Sequence, residues 1–185
     1  MKTIYLIHGW KGSPDNAFFP QLKKELIKKG NKVIVPNLPN SDFPTVLGWV
    51  SFLQKLISKP NLETIIVGHS LGGLAVLKFL EALPKGMIVG KIVLVSPVIN
   101  KVLKIPDGAK ELVDEWFGKP LDTEKIKNSV IKIVGFFSDD DPLVPLETEK
   151  LFKNWFGAIT FIEHNKKHYN DRGKQLDVSS ILKEI

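Results

Sequence analysis

Gly68-His69-Ser70-Leu71-Gly72 places a serine between two glycines, each two positions away. The apolar run Thr64–Val67 precedes this G-x-S-x-G segment and the helical stretch Leu71–Leu83 follows it, which predicts a strand, a tight turn and a helix. Such a turn lifts the serine hydroxyl above a sheet, and glycine avoids collisions with the neighbouring strand and helix. The segment predicts that Ser70 is a nucleophile for acyl transfer, the alternative being a turn serine without chemistry.

An acidic partner for this serine is available after a later predicted strand. Asp139, Asp140 and Asp141 directly follow Val130–Phe137 and Ser138. A carboxylate at a strand end can orient a catalytic histidine and stabilise its charged form. All three aspartates are candidates at this point, and we expect the unused ones to cap a turn or the following helix.

A proton acceptor is available after the last predicted strand, Ile159–Glu163, where His164 and His168 lie. Either histidine is a candidate to take the serine proton. The chain order of serine, aspartate and histidine is that of α/β-hydrolases and differs from the order in two other triad folds. A metal site built from His164, His168 and Asp141 is the competing interpretation. We expect no metal and no other cofactor.

The segment Ile7-His8-Gly9-Trp10 follows the first predicted strand and supplies a further part of such a site. Acyl transfer needs two backbone N–H groups that face the tetrahedral oxyanion. We expect one from Leu71, which follows the serine, and the other from Trp10. His8 is expected to shape this loop through hydrogen bonds. His69 is too close to Ser70 in sequence to accept its proton and is expected to pack beside the site.

Short β-rich runs that alternate with amphipathic helical stretches must position these residues. Strands are predicted at Thr3–Ile7, Lys32–Val35, Thr64–Val67, Lys91–Val95, Val130–Phe137 and Ile159–Glu163. Helices are predicted from Ser13 to Gly30 and at Val46–Ile57, Leu71–Leu83, Asp107–Phe117, Asp122–Asn128, Pro145–Phe156 and Asp177–Ile185. This alternation predicts a parallel α/β sheet with helices on both faces. The site is expected at the carboxyl ends of the strands.

Residues 96–129 interrupt the alternation and predict a small cap-like insertion after the fourth strand. Its apolar side chains would either line an acyl pocket or pack the insertion onto the core. The candidates are Val102, Leu103, Ile105, Leu112, Val113, Trp116 and Phe117.

Composition narrows the class of protein further. The length of 185 residues and the hydrophobic fraction of 43% fit one globular domain over residues 1–185. The chain contains no cysteine, which excludes disulfides and thiolate chemistry. No apolar run approaches the length that a membrane helix needs. The net charge of +6 comes from scattered lysines, with Arg172 the one arginine, so we expect a solvated surface and no nucleic-acid partner. The N-terminal residues lack a cleavage signal, and we expect a cytoplasmic protein.

These motifs together resemble the α/β-hydrolase superfamily, and within it the small serine hydrolases typified by retinoblastoma-binding protein nine. The resemblance implies a three-layer α/β/α domain with six parallel strands in the order 2-1-3-4-5-6. In that family the acid directly precedes Pro-x-x-Pro, which corresponds to Asp141 before Pro142-Leu143-Val144-Pro145. The base lies in a His-aromatic pair before the last helix, which corresponds to His168-Tyr169.

The expected function is therefore hydrolysis of small carboxylic esters or thioesters by Ser70, His168 and Asp141 through an acyl-enzyme. The expected partner is a small-molecule ester. An amidase or peptidase with the same triad is the first alternative. A catalytically idle protein-binding module with a hydrolase fold is the second.

Overall fold

Six parallel strands form the central sheet, in the order β2-β1-β3-β4-β5-β6, as predicted. The computed structural model describes residues 1–105, 109–170 and 176–185. The strands are β1 Thr3–Ile7, β2 Lys32–Ile34, β3 Thr64–His69, β4 Val89–Val95, β5 Val130–Ser138 and β6 Ile159–Glu163. Because every neighbouring pair is parallel, all six strands end at the same edge of the sheet.

Helices cover both faces of this sheet, which confirms the three-layer α/β/α architecture. They are α1 Phe19–Lys28, α2 Val46–Leu56, α3 Leu71–Ala82, α4 Lys110–Phe117, α5 Thr123–Lys127, α6 Glu147–Phe156 and α7 Ser179–Lys183. Buried side chains of α1 and α7 share one core cluster, and those of α2 to α6 share the other. The described helices include none with the length and apolar character that a bilayer crossing requires.

Strand β3 explains why the sequence shows continuous apolar runs rather than alternation. All six of its residues are buried. Ile65 and Val67 pack toward α1 and α7, whereas Ile66 between them packs toward α2 and α3. Successive side chains on a strand point to opposite faces, and here both faces are covered. The run of apolar residues is thus the signature of a central strand.

The first helix begins later than the sequence predicts. Residues 13–16 form a turn in which the Asn16 N–H donates to the Ser13 carbonyl at 3.2 Å. Ala17 then adopts a left-handed φ of 54°, which is incompatible with a continuing right-handed helix. The helix starts at Phe19, with Pro20 in its first turn, where a missing N–H costs nothing.

The insertion after β4 contains the short helices α4 and α5. The predicted first helix of this insertion begins at Asp107, and residues 107 and 108 lie outside the described residues. The described helix begins at Lys110, and it ends at Phe117, where the sequence predicts its end. Trp116 near its end is fully buried among core residues, so this helix is anchored to the α2 and α3 side of the sheet.

Candidate active site

Ser70 occupies the turn between β3 and α3 with a strained backbone. Its φ is 54° and its ψ is −125°, a conformation that a residue with a side chain rarely adopts. The Ser70 N–H donates to the Val95 carbonyl at 3.0 Å, and the Ser70 carbonyl accepts from the Gly73 N–H at 2.9 Å. These bonds fix the turn between the neighbouring strand and the first turn of the helix.

Two glycines allow the backbone to pack closely around this turn. A Cβ atom on Gly72 would lie 2.3 Å from the His8 carbonyl oxygen and 2.6 Å from that of Ile7. A Cβ atom on Gly68 would lie 2.9 Å from the Gly73 Cα. Both contacts are with backbone atoms that cannot rotate away. The glycine spacing in the sequence therefore reflects close packing of β1, β3 and α3.

Ser70, His168 and Asp141 form one continuous hydrogen-bonded chain. His168 Nε2 lies 2.8 Å from Ser70 Oγ. His168 Nδ1 lies 2.9 Å from Asp141 Oδ2 and 3.1 Å from its Oδ1. An ionised carboxylate only accepts hydrogen bonds, so Nδ1 carries the proton and donates it, and Nε2 presents its lone pair to the serine hydroxyl.

The Asp141 carboxyl is buried but remains well suited to carry a negative charge. Burial raises its pKa, but the His168 hydrogen bond and charge act in the opposite direction. Its Oδ1 also accepts from the Leu143 N–H at 2.8 Å and the Val144 N–H at 3.0 Å. The result is a pKa below the usual value for aspartate, because hydrogen bonds to the charged form favour it.

The other two aspartates bind turns of the loop after β6, one of the two roles expected for them, and neither caps α6. Asp139 Oδ1 accepts from the Asn165 N–H at 3.1 Å, and Asp140 Oδ1 accepts from the Lys167 N–H at 2.7 Å. Asn165, Lys167 and Tyr169 all have left-handed φ values, so the loop after β6 doubles back repeatedly and presents its N–H groups to β5. Successive aspartates thus bind successive turns of the loop that carries His168.

His164, the alternative base, lies apart from this chain. Its Nδ1 is 2.5 Å from Asp139 Oδ2, and its side chain is 79% exposed. The hydrogen bond with Asp139 and the charge of that carboxylate raise the pKa of His164. The structure therefore pairs His168 with Asp141 and His164 with Asp139.

His69, the residue directly before Ser70, holds His168 in place. It is buried against Phe18 and Phe19, and its ring centroid lies 5.0 Å from that of His168. His69 Nε2 lies 2.8 Å from the His168 carbonyl oxygen and must donate, since that oxygen can only accept. Burial lowers the pKa of His69 to about 3, with the nearby His168 charge acting in the same direction. His69 is therefore a neutral hydrogen-bond donor that holds the backbone of His168.

The backbone N–H groups of Trp10 and Leu71 flank Ser70 on the β1 and α3 sides. Among the hydrogen bonds between described residues, none is donated by either N–H. Gly9, which precedes Trp10, approaches so closely that a Cβ atom there would lie 3.0 Å from Ser70 Cβ. Trp10, after β1, and Leu71, at the start of α3, line one cavity together with Ser70, and their N–H groups stay the predicted oxyanion donors.

The loop that carries Trp10 is held by the loop after β2. The Leu38 N–H donates to His8 Nε2 at 3.0 Å, so His8 Nδ1 carries the ring proton and donates to the Gly9 carbonyl at 2.9 Å. Trp10 Nε1–H donates to the Asp42 carbonyl at 2.8 Å. Burial lowers the pKa of His8, which keeps the ring neutral for this arrangement. His8 shapes the loop as the sequence predicts.

Two buried tryptophans in turn hold the loop after β2, a role that sequence reasoning missed. Trp49 Nε1–H donates to the Pro39 carbonyl, and Trp116 Nε1–H donates to the Pro44 carbonyl, both at 2.9 Å. Their rings pack edge to face with centroids 5.5 Å apart. The signal in the sequence was the proline-rich segment 36–44 together with two tryptophans elsewhere in the chain, because a buried indole N–H usually finds a hydrogen-bond partner.

A narrow apolar cavity of about 70 Å³ opens beside Ser70, and we call it the Leu112 cavity. Its lining residues are Trp10, Ser70, Leu71, Val98, Val102, Lys104, Ala109, Leu112, Val113, Phe117 and Leu143. The insertion therefore contributes four of the predicted pocket residues: Val102, Leu112, Val113 and Phe117. Trp116 packs in the core instead, and Leu103 is 59% exposed.

A more polar cavity of about 160 Å³ lies on the other side of Ser70, and we call it the Asn16 cavity. Its walls include Lys11, Asn16, His168 and Asn170. Because Ser70 lines both cavities, it lies between an apolar compartment and a more polar one. A substrate carbonyl at Ser70 would thus direct its two substituents into different surroundings.

The parallel sheet in this strand order, with a serine at the strand-to-helix turn after β3, defines an α/β-hydrolase. The family model described as serine hydrolase matches residues 4–175. The chain belongs to this serine hydrolase family, which confirms the resemblance seen in the sequence.

Two relatives agree with this family membership. YdeN of Bacillus subtilis is 31% identical over 173 residues, which cover 93% of this chain and 88% of YdeN. Serine hydrolase RBBP9 of Rattus norvegicus is 26% identical over 165 residues, which cover 89% of this chain and 80% of RBBP9. The chain is thus similar to both along most of its length.

Solved structures share the fold. The crystal structure of the ydeN gene product from B. subtilis superposes with a TM-score of 0.87 at 29% identity, over 100% of both chains. Est1E from Butyrivibrio proteoclasticus, in a structure with bound ferulic acid, has a TM-score of 0.77 at 16% identity, over 100% of this chain and 87% of Est1E. At that identity the similarity concerns the fold alone.

The low pKa of His69 predicts a pH-dependent stability that His69→Gln removes. The unfolded chain binds a proton at His69 below about pH 6.5, whereas the folded chain does so only near pH 3. The contribution of neutral His69 to the free energy of unfolding is therefore complete above the unfolded pKa of about 6.5. It is lost progressively as the pH falls from there toward about 3. Between pH 7.5 and pH 5 the free energy of unfolding should fall by about 2 kcal/mol through His69. Urea unfolding at these two pH values measures the difference.

The control is His164→Gln, because the raised pKa of His164 has the opposite sign. This variant should lose at least as much stability on acidification as the wild type, whereas His69→Gln should lose less. Parallel curves for His69→Gln and wild type would show that His69 is not held neutral.

Proposed function

We propose that Ser70, His168 and Asp141 are a catalytic triad with which this serine hydrolase cleaves small carboxylic esters or thioesters. The observation that carries the proposal is the unbroken hydrogen-bonded chain from Ser70 Oγ through His168 to Asp141, with distances of 2.8 and 2.9 Å. It lies at the strained turn of a protein that belongs to the serine hydrolase family.

The first half-reaction forms an acyl-enzyme. Ser70 Oγ attacks the substrate carbonyl carbon while its proton moves to His168 Nε2, and the carbonyl oxygen becomes an oxyanion. The N–H groups of Trp10 and Leu71 donate to this oxyanion. The bond to the leaving oxygen or sulfur then breaks, and His168 returns its proton to the departing alcohol or thiol.

The second half-reaction releases the acid. Water attacks the acyl carbon, and His168 Nε2 takes one of its protons. When the tetrahedral intermediate collapses, the Ser70–acyl bond breaks and the proton returns to Ser70 Oγ. Asp141 keeps the Nδ1–H tautomer of His168 throughout and stabilises the charged ring in both halves.

The two cavities beside Ser70 support a short acyl group. The Leu112 cavity is apolar and holds about 70 Å³, far below the roughly 300–1,000 Å³ of typical ligand pockets. We propose that residues 96–129 act as a cap on a single domain and that the Leu112 cavity receives the acyl chain. The leaving alcohol or thiol then occupies the Asn16 cavity, whose polar walls suit it.

A neighbour in fold supports a substrate whose hydrolysis releases a carboxylic acid. Est1E was solved with ferulic acid, a carboxylic acid, in its structure. Hydrolysis of an ester, a thioester or an amide releases such an acid. An amide substrate would use the same triad, and comparison of matched esters and anilides would distinguish the two classes.

Ser70→Ala should abolish turnover of p-nitrophenyl acetate and labelling by a fluorophosphonate. Loss of a triad nucleophile costs roughly 10⁶ in kcat in a well-studied protease. Ser58→Ala is the matched control, because Ser58 is exposed and lies after α2. If Ser70→Ala retained more than about a tenth of wild-type kcat, the nucleophile assignment would be wrong.

Asp141→Asn should impair turnover far more than Asp140→Asn. Amidation of the triad aspartate costs about 10⁴ in kcat in the protease example, because the histidine adopts the wrong tautomer. At position 140 an asparagine oxygen can still accept from the Lys167 N–H, so the His168 loop stays in place. A larger loss of kcat for Asp140→Asn would move the acid role one residue upstream.

Leu112→Ala should extend the range of acyl chains that the enzyme accepts. Removing this side chain enlarges the Leu112 cavity enough to bury about two further methylenes. Because each contributes about 0.8 kcal/mol, the kcat/KM ratio of p-nitrophenyl octanoate to butyrate should rise about tenfold. Leu103→Ala is the matched control because Leu103 is exposed. An unchanged ratio in Leu112→Ala would exclude this cavity as the acyl site.

A further inference from the structure

A third cavity, of about 430 Å³, lies between α3, α6 and the segment that joins α4 to α5, and we call it the Lys78 cavity. Its volume is within the range of small-molecule sites. Most of its walls are apolar, such as Leu74. Trp116 and Trp155 are among its aromatic lining residues. Ser70 and His168 do not line it, so the cavity is separate from the proposed triad.

Lys78 brings an unpaired positive charge to this cavity. The residue is only 7% exposed, and it makes no hydrogen bond or ion pair with another described residue. Leu74 precedes it by one helical turn on the same face of α3, and both line the cavity. The Lys78 Nζ atom is not among the fully enclosed polar atoms, so the stem is buried while the ammonium group stays accessible.

The surroundings of Lys78 agree with an ammonium group that lacks a partner. Burial lowers its pKa, Glu81 raises it, and the nearby Lys119 lowers it further, for a net pKa below the usual value. The Glu81 Oε1 atom accepts from the Asp122 N–H instead. An anion in the cavity would give the Lys78 ammonium the partner that the described chain does not provide.

Asn100 and Lys119 add two further polar groups to the same cavity. The Asn100 Oδ1 atom is buried and has no hydrogen-bond partner in the described structure. Lys119 is exposed and contributes a second positive charge at the cavity wall. A few convergent polar groups within apolar walls are the usual composition of a ligand site.

We propose that the Lys78 cavity binds a small organic anion with a flat apolar body. The anionic group pairs with Lys78 and Lys119, and the apolar body packs against Phe117 and Trp155, next to the buried Trp116. Because Lys78 follows Ser70 by eight residues in the chain, which is about 12 Å along the helix, the anion lies well away from the serine.

Phe117 lies between the Lys78 cavity and the proposed acyl site. It lines both the Leu112 cavity and the Lys78 cavity. A ligand in the Lys78 cavity therefore borders the wall of the proposed acyl site without occupying it. The binding site itself does not depend on the triad, and a direct binding measurement tests it independently of turnover.

Heteronuclear NMR of the tryptophan indole N–H groups tests the proposal, with hydrocinnamate as the probe. Trp116 and Trp155 line the Lys78 cavity, whereas Trp10 lines the cavities at Ser70. Hydrocinnamate should shift the Trp155 and Trp116 signals in a saturable manner, and the neutral hydrocinnamamide should bind at least about tenfold more weakly. Shifts confined to Trp10, or equal binding of acid and amide, would overturn the proposal.

Charge variants provide the second arm of the test. Lys78→Met should raise the Kd for hydrocinnamate by about tenfold or more, and Lys78→Arg should retain most of the affinity. Lys119→Glu, at an exposed position that leaves the core intact, should raise the Kd by about threefold or more. The matched controls are Lys85→Met and Lys85→Glu, because Lys85 is exposed and lines neither cavity.

The two arms together remain decisive if one variant is unstable. Thermal unfolding shows whether Lys78→Met folds, and Lys119→Glu provides the same comparison if it does not. A Kd in Lys119→Glu equal to that in Lys85→Glu would refute the role of the lysines.

Discussion

The strained backbone of Ser70 is the constraint on which the rest of the structure depends. A φ of 54° with a side chain costs about 1–3 kcal/mol, and the surrounding structure must compensate for it. The Val95 carbonyl binds the Ser70 N–H, and α3 begins directly after the turn. Gly72 lets the helix start in contact with the end of β1, at the carbonyls of Ile7 and His8. The geometry of the Ser70 turn thus fixes the position of α3 against the sheet and the position of the Ser70 hydroxyl.

Placement of His168 depends on hydrogen bonds from a loop rather than on a regular element. Its loop has repeated left-handed residues and is attached to the end of β5 by three consecutive aspartates. His69 binds the His168 carbonyl from the other side. Loops position groups with less precision than helices or strands, and this loop compensates with many charge-assisted bonds. The proposed base is therefore held by the same acidic segment that provides the proposed acid.

The insertion after β4 has two roles that are coupled through α4. Trp116 is buried in the core and binds the Pro44 carbonyl, which anchors the loop after β2. That loop binds His8 and Trp10 and so fixes the N–H expected to bind the oxyanion. The next residue, Phe117, lines the Leu112 cavity and the Lys78 cavity. A change in the insertion would therefore affect the shape of both cavities and the oxyanion loop together.

The sequence by itself determined the strand–helix alternation, the parallel sheet and the serine turn, because these follow from local periodicity and from glycine spacing. It also determined the chemical class, since Ser70, an aspartate and a histidine follow three different strands that end at one edge. The residues alone left three aspartates and two histidines as candidates, and the family resemblance favoured Asp141 and His168. The tertiary structure hydrogen-bonds His168 to Asp141 and His164 to Asp139, a distinction that local pattern does not encode because neighbouring residues in a tight loop point in different directions. The same holds for Val102, Leu112, Val113 and Phe117, which only chain packing brings to Ser70 while Leu103 faces solvent. Contacts between segments distant in the chain decide such choices, and they depend on three-dimensional packing rather than on local pattern.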